Sequence, residues 1–252
     1  MSIRVAINGC GRIGRLTFRQ MMSDDRMDVV AINDIAPLDD LAYLLKYDSA
    51  LPDPGVEIEA GDGVLHYGGE KVPFTQIETA ADLPWEDHDV QVAVEATGVL
   101  KDRESCEGHL AAGADRVVIT ANSDDADVTV VMGVNHSWYD PDEHRIVSNA
   151  SCTTNCLAPV ARVLDEEFGI ETGFLTTTHG VTSSQSVVDR PRSKRRRGRS
   201  ALTSTIPTTT GAAVATTIVL PQLEGKMDGM AMRVPVISGS VIDFVVRLQK
   251  PV

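Results

Sequence analysis

The residues best suited to chemistry lie in Ser148-Asn149-Ala150-Ser151-Cys152-Thr153-Thr154-Asn155-Cys156. The short apolar run Ile146-Val147 precedes this stretch. A helical pattern through Leu157, Val160, Ala161, Leu164 and Phe168 follows it, so Cys152 is expected where a strand hands over to a helix. Ser151 or Asn149 can cap that helix, which leaves unpaired backbone N–H groups and the positive end of the helix dipole beside the sulfur. That setting activates a thiol nucleophile. A buried structural cysteine is the ordinary alternative, and the polar, capping-rich surroundings weigh against it; Cys156, one turn further on, suits the structural role better. A nucleophilic cysteine needs a base, and His179 ends a β-rich segment, Gly173-Phe-Leu-Thr-Thr-Thr-His179, just before Gly180. His66, His88, His109, His136 and His144 fall in polar or loop-like contexts and are expected to stand aside.

A second constellation opens the chain. The strand Ile3–Asn8 runs into Gly9-Cys10-Gly11-Arg12-Ile13-Gly14 and then a helical stretch, Arg15 to Met22. Glycines there permit a tight turn and close approach to a pyrophosphate, with the helix start as anion site. A second apolar strand, Val29–Ile32, follows, and Asp34 stands twenty residues beyond Gly14. An acid at that place accepts the ribose hydroxyls of an adenosine and repels a 2′-phosphate, so NAD is expected over NADP. A third candidate is Thr208-Thr209-Thr210-Gly211, whose hydroxyls and N–H groups at a helix start suit an anion.

These residues need a scaffold. Leu38–Lys46 reads as a helix, and Val56–Thr75 as short strands broken by Gly61-Asp62-Gly63 and Gly68-Gly69. Strands are expected at Val90–Glu95, Arg116–Thr120, Val128–Met132 and Ile146–Val147, with a helix over Arg103–Ala112. This alternation predicts a doubly wound, mostly parallel α/β sheet over residues 1–150, with ligands beyond the carboxyl ends of the strands, where Asn8, Thr97, Gly98 and Thr120 fall. Residues 151–252 read as helix (Thr153–Phe168), strand (Gly173–Thr178), a long loop (Val181–Ser200), helix (Gly211–Leu220) and strands at Met230–Val234 and Val241–Leu248. That order predicts a sheet covered by helices on one face, an α+β domain.

Length and composition agree with two ordinary domains: 252 residues, 42% hydrophobic. A net charge of −13 and a pI near 4.8 argue against a general binder of nucleic acid or anionic membrane. Lys supplies 6 of the 23 basic residues and Asp 23 of the 36 acidic ones. This acidic bias is read as adaptation to high salt or as an ordinary acidic cytosolic surface, on even terms. Residues 1–150 balance to −17 (11 basic, 28 acidic) and residues 151–252 to +4 (12 basic, 8 acidic), which supports a boundary near 150. Seven cations crowd Arg190–Arg199; a nucleic-acid or localisation tag, a subunit contact with the acidic first domain and an anion-binding wall are the readings open there. Four cysteines without framework spacing, and no apolar signal segment, point to a reducing cytoplasm. The charge-free run Ser200–Leu223 is Thr-rich and broken by Pro207 and Pro221, so no membrane span is expected. No His, Cys or Asp spacing suggests a metal site.

Ala150-Ser-Cys152-Thr-Thr-Asn-Cys156-Leu-Ala-Pro159, with Thr178-His179, Pro207-Thr-Thr-Thr210-Gly211-Ala-Ala213 and Gly229-Met-Ala-Met-Arg233-Val-Pro235, closely resembles phosphorylating glyceraldehyde-3-phosphate dehydrogenases. The likeness is collinear over the whole chain and departs at Asn122, where that family usually has Pro. It implies an NAD-binding domain over 1–150, with cofactor contacts at Asn8, Gly9, Gly11, Arg12, Ile13, Gly14, Asp34, Thr97, Gly98 and Thr120. It implies a catalytic domain over 151–252 in which Cys152 attacks the aldehyde and His179 is the base. Ser151, Thr153, Thr210 and Gly211 would hold inorganic phosphate, and Thr182 and Arg233 the substrate's own phosphate. The implied assembly is a tetramer in which the basic loop meets a neighbouring subunit's cofactor site. Members of the family continue past the position of Val252, so the resemblance implies a truncated, catalytically impaired chain prone to associate, or else a partial sequence of a complete enzyme. Erythrose-4-phosphate oxidation, or a catalytically dead NAD- or RNA-binding role, are the alternatives.

Overall fold

The computed structural model describes residues 2–251. Apolar residues in alternation or in unbroken runs set the strands of the first part: β1 (Ile3–Asn8), β2 (Met27–Asn33), the hairpin strands β3 (Ile58–Gly61), β4 (Val64–Tyr67) and β5 (Glu70–Thr75), then β6 (Val92–Glu95), β7 (Arg116–Ile119), β8 (Val128–Thr129) and β9 (Ile146–Ser148). Among the described residues they form one sheet in the order β3-β4-β5-β2-β1-β6-β7-β9-β8. Pairing from β5 through β8 is parallel, and β3 and β4 join by antiparallel pairing. The chain winds outward from β1 through β2 on one side and from β6 through β7 and β9 on the other. The strand order therefore reverses between β1 and β6, the place where open α/β sheets bind ligands.

Three helices belong to this part: α1 (Arg12–Met21), α2 (Leu38–Lys46) and α3 (Arg103–Ala111). Only α3 has a side-chain N-cap, Asp102 accepting from Ser105 N at 3.0 Å. The core fills both faces of the sheet, Ile7, Phe18, Ile32, Leu45 and Leu65 on one side and Ala6, Ala31, Trp85 and Ala93 on the other. Burial on both faces is why β1, β2 and β6 read as continuous apolar runs. β8 is shorter than predicted, because after Val130, whose N still donates to Ser148 O at 2.8 Å, the chain enters a turn held by Val134 N to Val131 O at 3.0 Å.

The second part contains α4 (Cys152–Phe168), β10 (Ile170–His179), β11 (Ile206–Thr209), α5 (Ala212–Val219), β12 (Met227–Arg233) and β13 (Ser240–Leu248). Its sheet has the order β11-β12-β10-β13, with β10 and β12 parallel and the outer pairs antiparallel. α4 and α5 pack on it through Leu157, Leu175 and Ala212 with Met227, Ile242 and Phe244 around them. Phe174, Val241 and Val245 are exposed. The doubly wound sheet and the α+β second part are as expected. One strand was not: β11 contains Pro207 and runs through Thr208 and Thr209, which the sequence placed only at a helix start. Proline is compatible with it because β11 is an edge strand, pairing with β12 alone. By compactness one unit runs to Val130 and takes in Ser137–Ala150; the other comprises Val131–His136 and the chain from Ser151 onward. Arg162 on α4 holds the detached piece of the second unit through the carbonyls of Gly133 (2.7 Å) and Val134 (3.1 Å).

Candidate active site

In the first unit the turn after β1 is shaped by contacts that leave no room for a Cβ. Gly9 has φ of +92°, and a Cβ on it would meet Thr97 N at 2.5 Å; one on Gly14 would meet Gly9 O at 1.9 Å. Gly11, the N-cap of α1, has open space and no side-chain cap bond. Glycine-packed backbone, open approach and a free helix start are what a pyrophosphate requires. Asp34 braces the turn, accepting from Ala36 N at 2.8 Å and from Cys10 N. Beside it lies a cleft of about 330 Å³ whose walls include Asn8, Gly9, Gly11, Asn33, Asp34 and Thr97. Its charged lining groups are Asp34 and Glu78, with no cation, so the residues fit an adenosine ribose and not a 2′-phosphate. Replacing Gly14 by Ala is expected to displace Gly9, weaken NAD binding at least about tenfold and cost about 2 kcal/mol of stability. A calorimetric titration beside a thermal melt checks both; unchanged affinity would mean that the turn does not hold the cofactor.

Several other expected residues are not among those that line this cleft. Ile13 joins Leu16, Thr17 and Gln20 on a different surface of α1, and Gly14 packs beneath Gly9. The Thr120 hydroxyl donates to the Glu95 carbonyl at 3.1 Å, and neither Thr120 nor Gly98 is among the cleft's lining residues. Arg12 turns to Asp48, whose side chain is only 6% exposed and also accepts from Ala50 N and Leu51 N. The hydrogen bond from Arg12, aided by those two N–H groups, lowers the Asp48 carboxyl to about 2. A folded-state value below the unfolded one contributes stability above pH 4 that is lost as pH falls toward 2. Asp48→Asn should remove about 2 kcal/mol at neutral pH and flatten acid unfolding between pH 4 and 2, followed by circular dichroism. Sequence reasoning missed Asn33, Ile77, Glu78, Val99 and Leu100; the available signal was a polar residue closing an apolar strand, as Asn33 does for β2.

His109 corrects the reading of its surroundings as polar or loop-like. It sits on α3, wholly buried, stacked against Trp85 at 6.2 Å between ring centroids.

In the second unit Cys152 is exposed as the first residue of α4. Ser151 caps that helix, its Oγ accepting from Thr154 N at 3.1 Å and lying 2.8 Å from Thr154 Oγ1. Ala150, just before it, is a non-glycine residue at φ of +54°, the kind of strained position that gathers at functional turns. His179 closes β10, and its Nε2 lies 3.5 Å from the Cys152 sulfur. Nδ1 is 2.7 Å from Gly180 O, and Arg233 reaches both Nδ1 and that carbonyl at 3.0 Å. Guanidinium only donates, so the consistent arrangement has Nδ1–H and Arg233 both donating to Gly180 O. The Nε2 lone pair then faces the sulfur. His179 and Arg233 are register partners across β10 and β12, which is why both side chains leave the same end of the sheet.

Arg233 is half-buried, and burial together with Arg197 nearby depresses its ionisation. Its Nε has no partner, and none of the ion pairs among the described residues involves it. A half-buried guanidinium without a carboxylate partner can accept an anion. Thr182 Oγ1 lies 3.4 Å from it and 2.8 Å from Ser184 Oγ. Thr153 is buried, its hydroxyl 4.0 Å from the cysteine sulfur. Thr210 accepts from Ala212 N at 3.1 Å, and Gly211 begins α5 with open space around it. The structure thus joins Cys152, His179, Arg233 and Thr182 by direct contacts, while Ser151 serves the helix cap and Thr210 the start of α5. The basic loop folds back on β11: Lys194 bonds Thr209 Oγ1 at 2.9 Å, Arg197 bonds Thr208 Oγ1 at 3.2 Å, and Arg199 pairs with Asp189. Among the described residues no group of His, Cys, Asp and Glu gathers to hold a metal, and no helix is long and apolar enough to cross a membrane.

A glycine-turn domain suited to NAD, followed by a domain with an exposed cysteine–histidine pair beside an unpaired arginine, has the parts of a dehydrogenase that works through a thiol. The family model for the glyceraldehyde 3-phosphate dehydrogenase NAD binding domain matches residues 3–103, and that for the glyceraldehyde 3-phosphate dehydrogenase C-terminal domain matches residues 151–252. Glyceraldehyde-3-phosphate dehydrogenase 2 of Bacillus subtilis is 49% identical over 252 residues, covering 100% of this chain and 74% of that protein. The glyceraldehyde-3-phosphate dehydrogenase of Streptomyces coelicolor is 47% identical, with 100% and 75% covered, and that of Haloarcula vallismortis is 48% identical, with 99% and 75% covered. The chain belongs to the glyceraldehyde 3-phosphate dehydrogenase family. It is an NAD-dependent oxidoreductase, and the family relation favours glyceraldehyde 3-phosphate over the erythrose alternative.

Proposed function

We propose that this chain oxidises glyceraldehyde 3-phosphate through Cys152 and passes the product to inorganic phosphate as 1,3-bisphosphoglycerate. The observation that carries the reading is the 3.5 Å approach of His179 Nε2 to the Cys152 sulfur at a helix start. His179 takes the thiol proton, and the sulfur attacks the aldehyde carbon. The backbone N–H of Cys152 faces the charge that develops on the carbonyl oxygen. His179 returns its proton to that oxygen, giving the hemithioacetal, and takes the hydroxyl proton up again as the carbonyl re-forms. NAD, held by Asn8, Gly9, Gly11 and Asp34 with Thr97, supplies the hydride acceptor. Cys152 is left carrying a thioester, which phosphate cleaves, regenerating the thiol. Arg233 and Thr182 seat the substrate's phosphate; Ser151, Thr153, Thr210 and Gly211 seat the attacking one. Two dianionic partners need two such seats.

The proposal extends to a homotetramer and to a cytoplasmic setting. Four free cysteines suit a reducing compartment, and the exposed Phe174, Val241 and Val245 suit association. The test of the chemistry is steady-state NADH formation from glyceraldehyde 3-phosphate as phosphate is varied. Saturable dependence on phosphate is expected; turnover at full rate without it would mean that water cleaves the thioester and would remove phosphorolysis from the mechanism.

A further inference from the structure

The last residues of four neighbouring strands, Thr75 of β5, Asn33 of β2, Asn8 of β1 and Glu95 of β6, are register partners across the sheet. Their side chains form a continuous line. The Thr75 hydroxyl and Ile77 N donate to Asn33 Oδ1, both at 2.9 Å. Asn33 Nδ2 donates to Asn8 Oδ1 and to Ile77 O, both at 2.8 Å, and Asn8 Nδ2 donates to Glu95 Oε2 at 2.7 Å. At the far end Trp85 Nε1–H, which only donates, points at His109 Nδ1 from 3.0 Å. Nδ1 must then accept, so the proton sits on Nε2, 3.2 Å from Glu95 Oε2. The other carboxylate oxygen accepts from Thr97 N at 2.7 Å and from the Thr97 hydroxyl.

Four donors therefore converge on one carboxylate that is 2% exposed, and none of them is a cation. The direction of the line is fixed at both ends, by Ile77 and by Trp85. Neither amide can flip without setting donor against donor or acceptor against acceptor. What the line holds is the cofactor cleft. Thr97 abuts Gly9, and its hydroxyl accepts from Val99 N (3.1 Å) and Leu100 N (3.2 Å), two lining residues. Asn33 binds Gly9 N through its main-chain carbonyl at 2.8 Å.

We propose that Glu95 is the positioning residue of the NAD cleft, an acceptor-only hub whose carboxylate sets Asn8 and Thr97, and that His109 keeps it in place from outside the cleft. This rests on the NAD reading of the glycine turn. A buried carboxylate left with only neutral donors is costly to a fold that needs it merely for packing. Here every donor leads to a wall of the cleft or to His109. The role of His109, distant in sequence and absent from the lining, is to donate to Glu95 while accepting from Trp85.

The test measures the NAD dissociation constant by calorimetry, with circular dichroism for folding and the iodoacetamide rate at Cys152 as a control for the second unit. Glu95→Gln presents an NH₂ group where only acceptors fit, and is expected to weaken NAD binding at least about tenfold with the alkylation rate unchanged. His109→Leu should weaken it about three- to tenfold, and His109→Gln, which can both donate and accept, should stay within about twofold of the parent. Glu95→Gln and Asn8→Ala combined should weaken binding by less than the product of the two single effects, because they break one line. If Glu95→Gln does not fold, the His109 pair decides. Normal NAD affinity in the His109→Leu or Glu95→Gln protein, whatever its melting temperature, would overturn the proposal and leave a purely structural network. Failure of the parent protein to bind NAD would instead overturn the cofactor reading on which the proposal rests.

Discussion

Replacing Cys152 by Ser should abolish NADH formation, lowering kcat by at least about 10⁴-fold, with NAD affinity unchanged. The sulfur is exposed at the head of α4, so the substitution removes no core packing and a stability loss cannot account for the result. Serine keeps the shape, but its hydroxyl is not ionised by a neighbouring imidazole in the ground state, and an oxygen ester lacks the reactivity that phosphorolysis of a thioester uses. Cys156 lies four residues further on and is also exposed, while the sulfur that His179 approaches is that of Cys152. Cys156→Ser should therefore keep most of the activity. The comparison is made by stopped-flow absorbance at saturating NAD. A Cys152→Ser protein that still produced NADH at a measurable fraction of the parent rate, or a Cys156→Ser protein that did not, would move the nucleophile to the other cysteine.

What could be read from the sequence was what is local. The glycine turn, α2 to its residue bounds, the capped start of α4 and the strand ending in His179 each depend on residues within a few positions of one another, and each is present. Burial on both faces of the first sheet gave β1 and β2 an unmistakable apolar character. Two kinds of feature were hidden. The first is direction: Arg12, Ile13 and Gly14 belong to the glycine motif, yet a helix turns successive side chains to different sides, so one meets Asp48, one an outer groove and one the turn itself. The second is long-range partnership. Glu95 and His109 are 14 positions apart and Asn8 and Glu95 87 apart, so nothing local in Val-Ala-Val-Glu95 told a buried hub from a strand end. The same holds for Arg190–Arg199, whose charge density drew attention as a surface patch while its Lys194 and Arg197 are spent on the Thr208–Thr209 edge. Pro207 hid β11 because a proline in a threonine run reads as a turn until its neighbour on only one side is known.

Substitution of His179 by Asn should cut kcat by about 10²–10⁴-fold while leaving the aldehyde KM within about threefold. An asparagine is too short to reach the sulfur, and its amide oxygen is far too weak a base to take the proton. Arg233 would still find Gly180 O, so the phosphate seat stays in place; in the parent that bond is 3.0 Å. This separation of kcat from KM is the mark of a group that acts in the transition state and not in binding. A structural histidine would behave differently, since losing a strand-end side chain would disturb Arg233, its register partner on β12, and raise KM as well. Alkylation of Cys152 by iodoacetamide supplies the independent readout, because it requires the thiolate and no substrate. The His179→Asn protein should react at least about tenfold more slowly than the parent at neutral pH. Arg233→Leu should do the reverse, raising KM for glyceraldehyde 3-phosphate far more than it slows alkylation, because its cation serves the phosphate. Equal alkylation rates in the parent and His179→Asn proteins would show that the 3.5 Å contact does not activate the sulfur, and the base would have to be sought elsewhere.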